Sequence, residues 1–169
     1  MKNALGSTLA GLALLAGAAG AQAQTGDTMK FAMCYDLGKA YTFVSPQIVQ
    51  AAKDYATLLN LKGGIEGKQI EIIAQDHGNE PQRGIECYEK LKREGVMVFD
   101  YLSTPVSRAV LPRHMADGIV MMQSFVGRGD AVDGDVFKWV FPVGPTYWGQ
   151  VANDVQYIKN VHKGNLKGV

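Results

Sequence analysis

The chain has 169 residues, with 17 Lys plus Arg against 16 Asp plus Glu and a formal net charge of +1. That balance, with no basic patch along the sequence, excludes a nucleic-acid partner held by phosphate contacts. Two cysteines, Cys34 and Cys87, are too few to staple a fold, and the length suffices for one domain with a real core.

The amino end reads as a targeting segment. Lys2 supplies a short positive region, Leu9 to Gly20 is apolar, and Ala21-Gln22-Ala23 has the small-x-small form that signal peptidase cleaves. Residues 1–23 are therefore expected to be a signal peptide and the mature chain to be exported to the periplasm. The apolar run is too short and too rich in Gly to span a bilayer, and no later segment is long enough. No Cys stands at the cleavage point, so no lipid anchor is expected. In an oxidising compartment Cys34 and Cys87 either pair or remain buried free thiols, and the sequence leaves both open.

Met29 to Tyr35 is a short apolar run that fits a strand, ended by Asp36 and Gly38. Ser45-Pro46 reads as a cap and first helical position, followed by apolar residues at helical spacing from Ile48 to Leu59. Gly63-Gly64 stops that helix. Lys68 to Gln75 is predicted as the second strand, with Ile70, Ile72 and Ala74 on one face and Ile73 on the other. Pro81 opens a second helix and Gly95 closes it. Val96 to Phe99 is the third strand, and Ser103-Thr104-Pro105 opens a third helix that Pro112 is expected to kink or shorten. Ile119 to Met122 is the fourth strand, ending in Gln123-Ser124 before the polar loop GRGDAVDGD. A short fifth strand over Val136 to Val140 and a last helix over Pro145 to Lys159 complete the pattern.

Strands alternating with long crossovers predict an α/β fold, an open parallel sheet with helices on both faces. Ligands of such sheets bind beyond the carboxyl ends of the strands, which here are residues 36–45, 76–80, 100–105 and 123–129.

Most chemical motifs fail on spacing. GGIEGK is one residue short of a phosphate loop and precedes a strand where such a loop follows one. Asp76, His77 and Glu80 have no partner at helical ligand spacing, and His114 and His162 lie far off, so no metal is expected. GRGDAVDGD lacks the register and terminal Glu of a calcium loop. No nucleophile elbow is present, and Cys34 at a strand end reads as a buried thiol, so no enzyme is expected. Ser103-Thr104 stands out: two hydroxyls at a strand-to-helix junction suit either a bound carboxylate or helix capping, and both readings remain.

The combination of MKFAMCYDLGKAYTF, LNLKGGIEGKQIEIIAQDHGNEPQRGIE, VMVFDYLSTPVSRAVLP and IVMMQSFVGRGD resembles the solute-binding proteins of ABC importers. Within these it is most similar to the branched-chain amino acid, or leucine/isoleucine/valine-binding, type with the type I periplasmic-binding fold. The likeness runs from Met29 to Val169, and NLKGGIEGKQIEII carries it most specifically.

The resemblance implies two α/β lobes that close on a small-molecule solute, with the closed form read by an ABC permease in the inner membrane. It implies no cofactor. By position, the hydroxyl holding the ligand carboxylate falls on Thr104, with Ser103 beside it. The loop after the fourth strand brings Ser124, Phe125, Val126 and Gly127 to the ligand, and Tyr41 and Thr42 line the cleft from the first strand. Amino-acid binders of the family commonly carry a Thr where Gly127 stands, and their first loop reads like S-G-P where this chain has Gly38-Lys39-Ala40. Branched-chain amino acids, aromatic acids, short amides and urea-like solutes are therefore all candidate ligands.

Residues 24–160 are expected to be the first lobe of such a protein and residues 161–169 the start of a second. A trap of micromolar affinity needs about −8 kcal/mol, and one lobe keeping roughly half of that binds near millimolar. A sensory receptor domain of the same fold is the alternative function, and an exported hydrolase or reductase fragment a third.

Overall fold

The computed structural model describes residues 28–161, leaving the expected signal peptide and all of the 161–169 segment but Val161 outside the described residues. The strands are β1 (Met29–Tyr35), β2 (Ile70–Asp76), β3 (Val98–Tyr101), β4 (Val120–Gln123) and β5 (Val140–Pro142). They form one sheet in the order β2-β1-β3-β4-β5, and every pairing is parallel. Parallel pairing sends all five carboxyl ends to one edge of the sheet. Four helices join the set: α1 (Ser45–Leu61), α2 (Pro81–Arg93), α3 (Thr104–Asp117) and α4 (Tyr147–Asn160).

Strand alternation divides the core in two. Ala32 and Cys34 of β1 meet Tyr88 and Leu91 of α2 and Val106 and Val110 of α3 on one face. Met33 and Tyr35 meet Val49, Ile48 and Ala52 of α1 on the other. Ile72 and Ala74 join the α1 side and Ile73 the α2 side, as their spacing predicts. Both faces are covered, which explains why β1 and β3 are apolar almost throughout.

The α2–α3 face is the denser one. Tyr88, Phe99 and His114 cluster with ring centroids 4.5 to 5.4 Å apart. Gly84 of α2 is needed there, because a Cβ would overlap Val106 Cγ1 of α3. His114 Nδ1 donates to the Ile119 carbonyl, so Nε2 accepts the Tyr101 hydroxyl at 3.1 Å and the ring is neutral. Burial lowers its pKa to about 4. Cys34 and Cys87 are joined in a buried disulfide that ties β1 to α2, with Cα atoms 6.4 Å apart.

Several boundaries differ from expectation. Ser45 is not the cap of α1: its amide already bonds to the Tyr41 carbonyl, which draws it into the helix, and Val44 takes the cap position. β2 starts at Ile70 because Lys68 is held in a two-residue bridge with Ile65 across the glycine turn. β3 starts at Val98 because the Val96 amide closes α2 on the Leu91 carbonyl. Pro112 does not shorten α3, which runs to Asp117 and ends at Gly118 in the left-handed region. Contacts to α2 beyond the proline hold the last turn helical: Arg113 to Glu89, and Asp117 to Tyr88 and Lys92. β5 is displaced from Val136–Val140 to Val140–Pro142, because the Val136 and Phe137 amides bond to the Asp133 carbonyl and curl that stretch into a turn. The loop before it contains a short 3-10 turn, Gly129–Ala131, that buries Ala131.

Candidate functional site

The edge where the strands end is organised by three carboxylates. Asp36, after β1, is fully buried and accepts the amides of Gly38, Lys39, Ala40 and Tyr41 at 2.6 to 3.3 Å. Burial alone would raise its pKa, but the four amides outweigh it and hold the group below the usual carboxylate range. Asp76, at the end of β2, accepts the Leu37 and Gly78 amides and pairs with Arg83 at 3.0 Å. Its pKa is lowered in the same way, amides and Arg83 overcoming burial. Asp100 of β3 accepts the Tyr35 hydroxyl at 2.6 Å and both the amide and the hydroxyl of Ser124. Burial, and then the Asp100 charge, push the Tyr35 phenol far above its ordinary range, so it stays a donor. These carboxylates shape loops; Asp36 is closed off from a ligand, whereas the Asp76 side chain stays 36 % exposed on the α2 flank.

Above this layer lies a groove of about 260 Å3 lined by Tyr41, Phe43, Val44, Leu102, Ser103, Thr104, Phe125, Val126 and Tyr147. It joins residues from the first, third and fourth strand exits with the amino end of α4. Thr104 and Tyr147 also line a neighbouring groove of about 340 Å3, with Arg108, Gly127, Arg128, Gly129 and Trp148. A larger depression of about 550 Å3 lies along α2 and the β2 edge. Its walls are mixed charges such as Arg83, Glu86, Glu89 and Lys90, a solvated helix flank with no convergent polar set.

Most residues proposed from sequence meet here. Tyr41, Ser103, Thr104, Phe125 and Val126 share the first groove, and Gly127 lines the second. Ser124 and Thr42 do not line either: Ser124 is turned onto Asp100, and Thr42 donates its hydroxyl to the Lys39 carbonyl. Ser103 and Thr104 divide the two roles that the sequence left open. Ser103 caps α3, accepting the Val106 amide while donating to Asn79 at 2.6 Å. Thr104 is half-buried, faces both grooves, and makes no side-chain hydrogen bond among the described residues.

Gly127 is explained by close packing. A Cβ there would come within 2.9 Å of Tyr147 Cδ1, the Tyr147 nitrogen and the Pro145 carbonyl, and the Tyr147 amide donates to the Gly127 carbonyl at 2.7 Å. Phe125 has φ of 59°, an uncommon region for an aromatic residue, and its ring is 72 % exposed at the groove. Such backbone strain concentrates at ligand clamps.

The sequence reading missed Arg108, Arg128, Tyr147 and Trp148. Arg108 was within reach, since it follows Thr104 by four residues and so shares its helix face. The others come from a loop and a helix start whose path depends on β5.

The sequence pattern of the periplasmic binding protein family matches residues 28–166. The chain belongs to that family. No curated protein sequence matches it. Among solved structures, this periplasmic binding protein chain is similar to a fatty acid ABC transporter substrate-binding protein from Thermomonospora curvata. The two are 29 % identical with a TM-score of 0.71, over 81 % of this chain and 34 % of the other. A protein described as an ABC transporter permease from the Pseudomonas fluorescens group is also 29 % identical, TM-score 0.70, over 82 % and 34 %. A branched chain amino acid ABC transporter from Thermus thermophilus with bound valine shares the fold at 15 % identity and TM-score 0.71, over 78 % and 35 %. The chain thus spans about a third of the length of these relatives.

Proposed function

We propose that this chain is the solute-capturing lobe of an ABC importer's substrate-binding protein, acting without catalysis in the periplasm. The observation that carries the reading is the convergence of Tyr41, Thr104 and Phe125, from three separate strand exits, on one groove. Thr104 supplies a hydroxyl to the solute, Tyr41 and Phe125 supply apolar walls, and a facing lobe closes over them. The closed pair is what a membrane permease would recognise. The names of two relatives, a fatty acid ABC transporter substrate-binding protein and a branched chain amino acid ABC transporter with bound valine, support a carboxylate-bearing solute. A buried disulfide supports an oxidising compartment.

The test is a melting-temperature screen of the chain against amino acids, amides and carboxylic acids at millimolar concentration. At least one class is expected to raise the melting temperature, and Thr104→Ala to remove the shift. A shift that survives Thr104→Ala unchanged would contradict the role given to this hydroxyl.

A further inference from the structure

The DHGNEP loop between β2 and α2 lines neither groove, yet a chain of hydrogen bonds runs from it to the groove wall. Resting on the reading of that groove as the capture site, we infer that His77 and Asn79 are positioning residues for Ser103 and Thr104, and that a proton on His77 uncouples them. The contacts are direct. The buried His77 ring accepts the Asn79 amide at Nδ1, 2.9 Å away, which puts the ring's single proton on Nε2. Asn79 Oδ1 accepts the Ser103 hydroxyl at 2.6 Å, and Ser103 Oγ in turn accepts the Val106 amide at the start of α3. Thr104, the first residue of α3, follows Ser103 and faces both grooves.

The turn that carries Asn79 is fixed except at that residue. The Gly78 amide donates to Asp76 Oδ1, and a Cβ on Gly78 would lie 2.6 Å from Arg83 Nη1. The Glu80 amide closes the turn on the His77 carbonyl at 3.0 Å. Asn79 itself has φ of 59° and is held by the His77 ring at its amide and by Ser103 at its carboxamide. A side chain is uncommon in that backbone region and stays there while its surroundings impose it.

Protonation turns the ring's acceptor into a donor. With N–H on both nitrogens, Nδ1 meets the Asn79 amide donor to donor, and the contact is lost. Burial lowers the pKa of His77 from the ordinary 6.5, outweighing the opposing charges of Asp36 and Asp76. These two, after β1 and at the end of β2, and Arg83 of α2 are the described charges acting on the ring, with the Cys34 carbonyl also against it. The unfolded chain therefore takes the proton first. The link is complete above about pH 6.5 and is lost as pH falls through the ring's own lower value.

The test follows the free, isotopically labelled chain by NMR from pH 8 to pH 4, so no solute enters it. The His77 ring carbons report protonation, the Asn79 and Val106 amides report the link, and the Thr104 methyl reports the groove. All are expected to shift with one midpoint below pH 6.5. His77→Gln, which offers a carbonyl acceptor that does not titrate, should remove that midpoint from the Asn79, Val106 and Thr104 signals. Asn79→Ala should leave the His77 titration in place and shrink the Val106 and Thr104 shifts at least about five-fold. His114→Gln, at the other buried ring, should leave the midpoint where it is. Val106 and Thr104 signals that ignore the His77 midpoint, or follow it equally in Asn79→Ala, would overturn the inference. Loss of the folded signals before the ring titrates would overturn it too. Either result leaves the capture reading standing, since that reading fails separately in the solute screen.

Discussion

The two ends of the sheet are built very differently. The half made by β1, β3, α2 and α3 holds the disulfide, the Tyr88–Phe99–His114 cluster and most fully buried side chains. The half that begins at β5 is thin: β5 has three residues, and α4 buries none of its own. Trp148, Val151, Val155 and Ile158 form a stripe at helical spacing on α4 and all are exposed. The groove proposed for the solute lies on the seam between them, with Thr104 and Arg108 from the dense half and Tyr147 and Trp148 from the sparse one. On the proposed reading stability and recognition are separable: the dense half fixes the Thr104 hydroxyl, and the sparse half supplies exposed aromatic surface at Tyr147 and Trp148.

The largest test of this contrast is the disulfide. Its ends are 53 residues apart, and a closed loop of that length is worth about 4 kcal/mol through the unfolded chain. A Cys34→Ser, Cys87→Ser double variant should lose about that much in urea unfolding. A loss under about 1 kcal/mol would show that the dense half does not depend on the link.

Acid is expected to strike the same half next. His114 is buried and neutral, with a pKa near 4 in the fold against an ordinary value of 6.5. The unfolded chain therefore binds the extra proton between these values, and the stability contributed by the neutral ring is complete above about pH 6.5 and lost as pH falls toward 4. That loss is about 3 kcal/mol. Asp36 and Asp76, whose pKa values are lowered, add a second loss only below the ordinary carboxylate range. Urea midpoints followed from pH 8 to pH 4 check this, and His114→Gln should flatten the slope above pH 5.

Packing between α2 and α3 gives a smaller effect. Gly84→Ala forces a methyl against Val106 and should cost about 1–3 kcal/mol by overpacking. In the sparse half, Val155→Asp should cost less than about 0.5 kcal/mol, because its side chain is already 36 % exposed. A cost above about 1 kcal/mol for Val155→Asp would mean that α4 packs more closely in solution than the described contacts allow.

Much of the dense half was legible in the sequence. Met29–Tyr35 follows from its apolar run, the split of Ile72 and Ala74 from Ile73 follows from strand alternation, and Pro81 and Gly95 mark α2 by backbone geometry. The failures lie where one backbone group chose between partners. Ser45 entered α1 because its amide found the Tyr41 carbonyl, and β5 slid because Asp133 captured the Val136 and Phe137 amides. Local composition does not decide such choices. At the site, the residues after β3 and β4 were readable from topology, whereas Arg128, Tyr147 and Trp148 were not. Their approach to Thr104 depends on a loop and a helix start that contact it only in three dimensions.

The central claim is that parallel strands deliver one solute-binding edge. Amide chemical-shift mapping of the isotopically labelled chain, titrated with the strongest solute of the melting screen, tests it most directly. Shifts confined to residues 41–43, 103–108, 125–129 and 147–149 are the predicted result. Shifts centred on the opposite edge, around Gln69, Gly95 and Gly118 where the strands begin, would contradict it.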